Sequence, residues 1–188
     1  VEGVDMRSYL LESGGRITEA EILPISVKLS YALEEMHSAG IVHGDVKPQN
    51  IILSQHSREP ILIDFGCARD LRRPAGPTIR TFTESYSPIE QQFANGQVGP
   101  WTDVYALSAT MYRSLTGQPP PDPRAHVGGS SSWAAVTNPS QLVRASKEIG
   151  RAIQEGLTRD FSARPKSMQE FRRLLPGIPV DADTNTKT

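Results

Sequence analysis

The sequence predicts a mainly α-helical fold with one small β-hairpin, and three observations support this class. Apolar residues recur at helical spacing in several stretches of the chain. Two short apolar runs, 51–53 and 61–63, flank a polar turn and are typical of paired strands. The chain has 188 residues, of which 37% are hydrophobic, so it is long enough to bury a sizeable core.

The composition of the chain argues against several classes of protein. A formal net charge of −1 disfavours binding to nucleic acid, which normally requires a strong basic excess. The only cysteine is Cys67, which excludes an internal disulfide framework and fits a reducing compartment. No apolar run approaches the roughly 18 residues of a membrane span. We therefore expect a cytoplasmic protein with no membrane segment in this chain.

Two helices are predicted in the first forty residues. A helical pattern begins within the first ten residues, and a longer one follows Thr18 and Glu21, which form a capping-box pattern. Apolar residues then recur at helical spacing over 22–36, and Gly40 is a stop signal. Pro24 removes one helical hydrogen bond, so we expect either a kink near it or a helix that begins later.

Pairing of the two apolar runs has a functional consequence. Asn50 directly precedes the first run and Asp64 directly follows the second. A hairpin with its turn over 54–60 would bring these two side chains together. Two oxygen ligands that are distant in sequence would then face one metal ion.

The second half of the chain predicts a long loop followed by helices. Residues 67–100 show little periodicity and predict an ordered loop, and loops of this length are usually functional. Gly117 is the stop signal of the next helix, and Ser167 with Glu170 forms a second capping-box pattern. Residues 177–188 are polar and predict a disordered tail. The helices themselves are predicted over 102–116, 140–155 and 167–175.

The most informative feature is a pair of motifs around the hairpin. Residues 43–50 read His43-Gly44-Asp45-Val46-Lys47-Pro48-Gln49-Asn50, and fourteen positions after Asn50 comes Asp64-Phe65-Gly66. Phosphoryl transfer requires a carboxylate beside the attacking hydroxyl, a cation at the transferred phosphate and oxygen ligands for magnesium. The first motif contains the carboxylate, the cation and one oxygen ligand, and Asp64 adds a carboxylate for the metal.

In this order and spacing, the motifs resemble the catalytic loop and the metal-binding loop of eukaryotic-type Ser/Thr protein kinases, as found in bacteria. The resemblance implies that Asp45 is the catalytic base and that Lys47 neutralises the γ-phosphate. It implies ATP and Mg²⁺ as cofactors, with Asn50 and Asp64 holding the metal. The alternative, a polar turn that only caps two strands, does not account for both motifs in register.

The resemblance extends to residues outside the two motifs. Thr83 matches a threonine that contacts the catalytic aspartate and lines the substrate site. Glu90 lies in the segment Tyr86-Ser87-Pro88-Ile89-Glu90-Gln91, which resembles the close of the activation loop. Arg164 matches the arginine that pairs with this glutamate. Asp103 matches an aspartate that anchors the catalytic-loop backbone. Each also has a simpler interpretation as a cap or a solvated charge, and the Glu90–Arg164 pair indicates fold rather than catalysis.

Further positions are implied at the nucleotide site. Asp5 matches an acidic residue that binds the ribose hydroxyls, although an acid at a helix start is often only a cap. Ile52 matches the apolar floor of the adenine pocket, which core packing would explain equally well. His43 is implied to pack under Phe65 as a structural link, and Gly66 completes the metal-binding motif.

Two features depart from the family pattern. Gly44 stands where many protein kinases have an arginine that pairs with a phosphate on the activation loop. The chain also contains no glycine-rich loop and no strand lysine of the kind that holds the ATP phosphates. We therefore expect residues 1–176 to form only the C-terminal lobe of a kinase, with the N-terminal lobe absent. The chain would be either a fragment of a longer kinase or the product of a gene that lost its smaller lobe.

Three functions follow, of which the first is favoured. In the first, the resemblance implies that the chain is part of an ATP-dependent Ser/Thr protein kinase that acts on a protein substrate, and we expect it to be inactive alone without the missing lobe or a partner. The second is a small-molecule phosphotransferase of the aminoglycoside or choline kinase type, whose catalytic loop also begins His-Gly-Asp; Lys47-Pro48 and Phe65-Gly66 argue against it. The third is a kinase remnant that only binds partners, against which the intact catalytic residues argue.

Overall fold

The computed structural model describes residues 2–73, 83–93, 96–124, 142 and 145–178. These residues form six α-helices and five short β-strands, in agreement with the predicted mainly helical class. In chain order they are β1 (Gly3–Asp5), α1 (Met6–Glu12), α2 (Glu19–Ser38), β2 (Ile41–Val42), β3 (Ile51–Ser54), β4 (Pro60–Leu62), β5 (Arg69–Asp70), α3 (Ile89–Gln92), α4 (Pro100–Thr116), α5 (Lys147–Gly156) and α6 (Met168–Arg172). Single 3-10 turns cover Pro48–Asn50 and Phe161–Ala163.

Helix α4 forms the centre of the core. It packs against α2, α5 and α6, and α2 packs against α6 as well. Its predicted apolar face, Val104, Leu107, Met111 and Leu115, is buried. Five polar side chains of α4 are buried too, and the Ser108 hydroxyl is satisfied by donating to the Val104 carbonyl at 2.8 Å. Helix α4 is therefore a rigid support whose first turn lies under the candidate site.

Helix α2 begins at the predicted cap and continues through its proline. The Glu21 carboxylate accepts hydrogen bonds from the Thr18 backbone N–H at 2.9 Å and from the Thr18 hydroxyl at 2.7 Å. Because Pro24 lies inside α2, the alternative of a helix that begins later is wrong. Ile22 and Ile25 are buried on either side of the proline, and their burial offsets the lost backbone hydrogen bond.

The predicted hairpin is present and belongs to a larger sheet. Strands β3 and β4 are antiparallel, with Ile51 opposite Leu62. Strand β1 adds a third strand, with Gly3 opposite Ser54, which the sequence did not predict. The helical pattern at the start of the chain therefore covers only α1. A strand of three residues is too short to show a period-two pattern, so only its pairing partner reveals it.

The predicted ordered loop over 67–100 contains two regular elements that the sequence did not predict. Strand β5 pairs with β2, placing Val42 opposite Arg69, and α3 adds one helical turn. Elements of two and four residues cannot produce a detectable periodicity. Residues 74–82 and 94–95 of this segment lie outside the described residues.

The boundaries of the later helices differ from the predicted ones. Helix α4 begins at Pro100 and ends before Gly117, which caps it with φ at 79°. Helix α5 begins at Lys147, whereas the predicted helix begins at residue 140. Four of the residues 140–146 lie outside the described residues. Helix α6 ends at Arg172, three residues before the predicted end.

The second predicted capping box is only half formed. The Ser167 hydroxyl accepts from the Glu170 backbone N–H at 3.1 Å, as predicted. The Glu170 carboxylate, however, accepts from the Lys166 backbone N–H at 2.7 Å and not from that of Ser167. In the predicted tail, residues 179–188 lie outside the described residues.

Candidate active site

Asp45 lies at the centre of a hydrogen-bonded cluster on the loop between β2 and β3. Its carboxylate Oδ1 accepts from the Thr83 hydroxyl at 2.8 Å, and Oδ2 lies 2.7 Å from Lys47 Nζ. Lys47 Nζ also donates to the Thr83 hydroxyl at 2.9 Å, which closes a triangle of three groups. The Asp45 side chain is 9% exposed and that of Lys47 is 19% exposed. The triangle therefore combines a proton acceptor with a cation in a site that excludes most water.

Asn50 supports this triangle from the hairpin side. Its amide nitrogen donates to the Asp45 carbonyl at 2.9 Å and to Oδ2 of Asp45 at 2.8 Å. These two bonds fix the orientation of the amide, and its oxygen makes no hydrogen bond among the described residues. The Ile63 backbone N–H donates to the Asn50 carbonyl at 2.9 Å. This bond pairs Asn50 with Ile63, and Asp64 is the next residue in the chain.

Asp64 is exposed and has a left-handed backbone conformation, with φ at 65°. Its Oδ1 accepts from the Gly66 backbone N–H at 3.1 Å, a local bond that helps an aspartate to adopt this conformation. Its other carboxylate oxygen accepts no hydrogen bond within the part of the chain that the structure describes. One oxygen of Asp64 is thus open to a ligand.

Asn50 and Asp64 fit a magnesium ion that brings its other ligands with it. Both offer oxygen atoms, which are the ligands that Mg²⁺ prefers. Among the described residues, no group of three or more His, Cys, Asp or Glu could hold a metal by itself. Mg²⁺ commonly binds through one or two protein groups and takes the remaining ligands from phosphates and water. The two oxygen donors, from Asn50 and Asp64, agree with a magnesium site that is completed by phosphates and water.

A buried aspartate holds the backbone of the loop in place. Asp103, in the first turn of α4, is 0% exposed and accepts from the backbone N–H groups of His43 at 2.9 Å and Gly44 at 2.8 Å. His37 Nε2 lies 2.8 Å from the same carboxylate. Sequence reasoning missed His37, since its contact joins α2 to α4 and no motif surrounds it. The loop that carries Asp45 is therefore fixed from below by α2 and α4.

Glu90 and Arg164 form a buried ion pair behind the site. Their side chains are 2% and 0% exposed, and Arg164 Nη1 lies 2.7 Å from Glu90 Oε1. Arg164 also donates to the backbone carbonyls of Trp101 at 2.8 Å and Thr158 at 3.0 Å. The pair connects α3, which follows Thr83 in the chain, to the segment before α6.

Replacement of Arg164 by leucine is expected to lower the free energy of unfolding by about 3–5 kcal/mol. The variant would leave the Glu90 carboxylate buried without its cation and would remove the donors from the Trp101 and Thr158 carbonyls. For a chain of this size the melting temperature should fall by roughly 6–20 °C.

The matched control for this prediction is Arg173→Leu. Arg173 is exposed, and its side chain makes no hydrogen bond or ion pair among the described residues. This variant should melt like the wild type. Equal melting temperatures for the two variants would show that the buried pair does not stabilise the fold.

His43 and Phe65 lie against one another beside Asp45. Their ring centroids are 5.3 Å apart, with the planes inclined at 56°. His43 Nδ1 accepts from the Asp45 backbone N–H at 3.2 Å, so the buried imidazole supports the residue that carries the carboxylate. Phe65 itself is 56% exposed.

The two residues predicted at the nucleotide have different surroundings. Asp5 caps α1, where its carboxylate accepts from the Ser8 backbone N–H at 3.0 Å and the Ser8 hydroxyl at 2.7 Å. The hydrogen bond from the Ser8 hydroxyl lowers the pKa of Asp5 below its ordinary value. Ile52 lies on the face of β3 opposite to the buried Ile51 and Leu53 and is only half-buried. Ile52 is thus available to a ligand, whereas the Asp5 carboxylate already has a structural partner.

Cys67 follows the metal-binding motif without the properties of a reactive thiol. Its burial, together with the negative charge of nearby Asp45, raises the pKa of its thiol. A raised pKa keeps the sulfur protonated near neutral pH, and the thiolate is the reactive form. The chemistry of the site therefore depends on the carboxylates, the amide and the lysine.

The fold and the site together define a protein kinase domain, and comparisons with known proteins agree. The family described as protein kinase domain matches residues 1–172. Serine/threonine-protein kinase PkaA of Streptomyces coelicolor is 34% identical over 188 residues, which is 97% of this chain and 33% of PkaA. Serine/threonine-protein kinase PknA of Nostoc sp. is 37% identical over 127 residues, which is 64% of this chain and 22% of PknA.

Solved structures have the same fold. The apo form of PpkA-294 has a TM-score of 0.74 at 25% identity and covers 92% of this chain and 60% of that one. The kinase domain of Mycobacterium tuberculosis PknI has a TM-score of 0.69 at 24% identity and covers 93% and 62%. The chain thus belongs to the protein kinase family and is of the bacterial Ser/Thr type. It spans about a third or less of the length of these curated relatives.

No helix among the described residues is both long enough and apolar enough to cross a membrane.

Proposed function

We propose that this chain is the C-terminal lobe of a Ser/Thr protein kinase and that the complete kinase transfers the γ-phosphoryl group of ATP to a hydroxyl of a protein substrate. The observation that carries the proposal is the triangle of Asp45, Lys47 and Thr83. A carboxylate in contact with a lysine and a hydroxyl, next to two open oxygen ligands, is the group of parts that phosphoryl transfer needs.

Each residue of the triangle has a distinct role in this proposal. Asp45 accepts the proton of the substrate hydroxyl as the oxygen attacks. Lys47 stabilises the negative charge of the transferred group. Thr83 holds Oδ1 of Asp45, and the family resemblance implies that this threonine lines the substrate site. Because Asn50 fixes Oδ2, the carboxylate needs little rearrangement during the reaction.

The nucleotide and its metal would be held on the hairpin side of the triangle. When bound, Mg-ATP supplies the phosphoryl group and the positive charge of the metal. Asn50 and Asp64 would hold the metal through their open oxygens, and Ile52 would contact the adenine. The other phosphate-binding groups would come from an N-terminal lobe or from a partner. Asp5 could bind the ribose only by giving up its present hydrogen bonds to Ser8.

The proposal is tested by measuring phosphoryl transfer from labelled ATP in the full-length protein. Seryl and threonyl peptides should be phosphorylated, whereas aminoglycosides and choline should not. Preferential phosphorylation of the small alcohols would assign the site to the small-molecule phosphotransferases instead. Binding of Mg-ATP without transfer to any hydroxyl would favour a binding module.

Replacement of Asp64 by asparagine is expected to weaken Mg-ATP binding about 10- to 100-fold. The carboxylate is a charged ligand, and charged hydrogen-bonding groups are worth about 1.5–3 kcal/mol. Asparagine also adopts the left-handed backbone that residue 64 requires, so the variant removes charge without backbone strain. Titration of Mg-ATP into the full-length wild type and variant is the measurement. ATP without magnesium should bind both equally, and equal affinities with magnesium would show that the metal is held elsewhere.

A further inference from the structure

Gly44, the residue before Asp45, has no room for a side chain. Its φ is 75°, a left-handed conformation that costs other residues about 1–2 kcal/mol. A Cβ atom at this position would lie 2.9 Å from the Cys67 carbonyl oxygen and 3.5 Å from Gln91 Nε2. The space beside Gly44 is thus already taken by the backbone after the metal-binding motif and by the Gln91 side chain.

Gln91 holds the carbonyl of Gly44, whereas Asp103 holds its N–H. The Gln91 side-chain amide donates to the Gly44 carbonyl, and Gln91 is 5% exposed. The Gly44 N–H donates to Asp103 at 2.8 Å. The two polar groups of Gly44 are therefore fixed by α3 and α4, and the next residue in the chain is Asp45.

Gln91 is itself fixed by the ion pair behind the site. It follows Glu90, whose carboxylate is bound by Arg164. The segment 83–93 consequently contacts the catalytic loop at both of its ends, through Thr83 on Asp45 and through Gln91 on Gly44. Both donors are neutral groups, a threonine hydroxyl and a glutamine amide.

We propose that Gln91 is a positioning residue for Asp45 and that it couples the segment 83–93 to the catalytic loop. This inference rests on the proposed kinase function and adds a residue that holds the loop of its catalytic base in place.

The test compares two neighbouring glutamines in the full-length protein. Gln91→Met keeps the length of the side chain and removes the donor to Gly44. Gln92→Met is the matched control, because the Gln92 amide donates to the Ser87 carbonyl at 2.9 Å within its own segment. The inference predicts that kcat falls about 3- to 10-fold for Gln91→Met, from the loss of one hydrogen bond. The KM for ATP and the melting temperature should not change, and Gln92→Met should keep the wild-type kcat.

If Gln91→Met does not fold, Gln91→Asn takes its place, because it remains polar but is too short to reach Gly44. The same loss of kcat is then expected.

Two outcomes would overturn the inference: a wild-type kcat for the folded Gln91 variant, or equal losses of kcat for the Gln91 and Gln92 variants. A wild type that phosphorylates no hydroxyl would instead overturn the proposed function. An active wild type with an inactive Asp45→Asn and a fully active Gln91→Met would overturn this inference alone.

Discussion

Replacement of Asp45 by asparagine is expected to lower the rate of phosphoryl transfer about 10²- to 10⁴-fold. Asparagine has nearly the same shape, but its amide cannot accept the proton of the substrate hydroxyl. Affinity for Mg-ATP should stay near that of the wild type, because Asn50 and Asp64 provide the open oxygens for the metal. The measurement is kcat together with the Kd for Mg-ATP, both in the full-length protein.

The control for this prediction is the same substitution at an exposed aspartate. Asp160 accepts from the Ser162 backbone N–H at 2.8 Å and caps a 3-10 turn. Asparagine is an equally good cap, so Asp160→Asn should keep both stability and activity. Near-normal turnover of Asp45→Asn would remove Asp45 from the mechanism. A variant that also melts early would show that the triangle serves folding more than chemistry.

The 188-residue chain by itself is expected to fold cooperatively but to show no phosphoryl transfer. Its core is one continuous cluster of apolar side chains that extends from Met6 in α1 to Leu175 after α6. The triangle and the open ligands would form in this chain without further residues. Catalysis also needs groups that hold the α- and β-phosphates and cover the nucleotide, and the sequence contains neither a glycine-rich loop nor a strand lysine. Mg-ATP should therefore bind weakly and without transfer.

Three measurements on the isolated chain check this expectation. A thermal melt should show one cooperative transition, a titration should give weak Mg-ATP binding, and a basic test protein should remain unphosphorylated. Asp45→Asn in the isolated chain serves as the reference for background transfer. Phosphorylation that Asp45→Asn abolishes would contradict the prediction, and would mean that a second copy supplies the missing groups.

The chemistry of the site could be predicted from the sequence because its parts are close together in the chain. Asp45, Lys47 and Asn50 share one loop, and local apolar runs set the hairpin that brings Asp64 to it. The sequence left two interpretations open for Asp5 and Ile52, since the same residue types also cap helices and fill cores. The structure gives Asp5 a capping bond to Ser8 and leaves Ile52 half-buried.

Prediction from the sequence failed where elements were short or where contacts joined distant segments. Strands β1 and β5 have three and two residues, too few for any pattern, and they exist because β3 and β2 offer them backbone hydrogen bonds. The same applies to His37, whose partner Asp103 is 66 residues away. Neither a strand of this size nor such a pair leaves a local signal.

The sequence by itself determined the family, the helical class and the residues that carry charge and metal ligands, because these depend on residue types at short spacing. Only the tertiary structure decided how the site is held. It brings the Thr83 hydroxyl, 38 residues away in sequence, to the Asp45 carboxylate. It also binds the carbonyl of Gly44 to Gln91 and the N–H of Gly44 to Asp103. The reason is physical: periodicity records which face of an element is apolar, whereas these polar contacts arise only when the helices pack around α4 and bring distant segments within hydrogen-bonding distance.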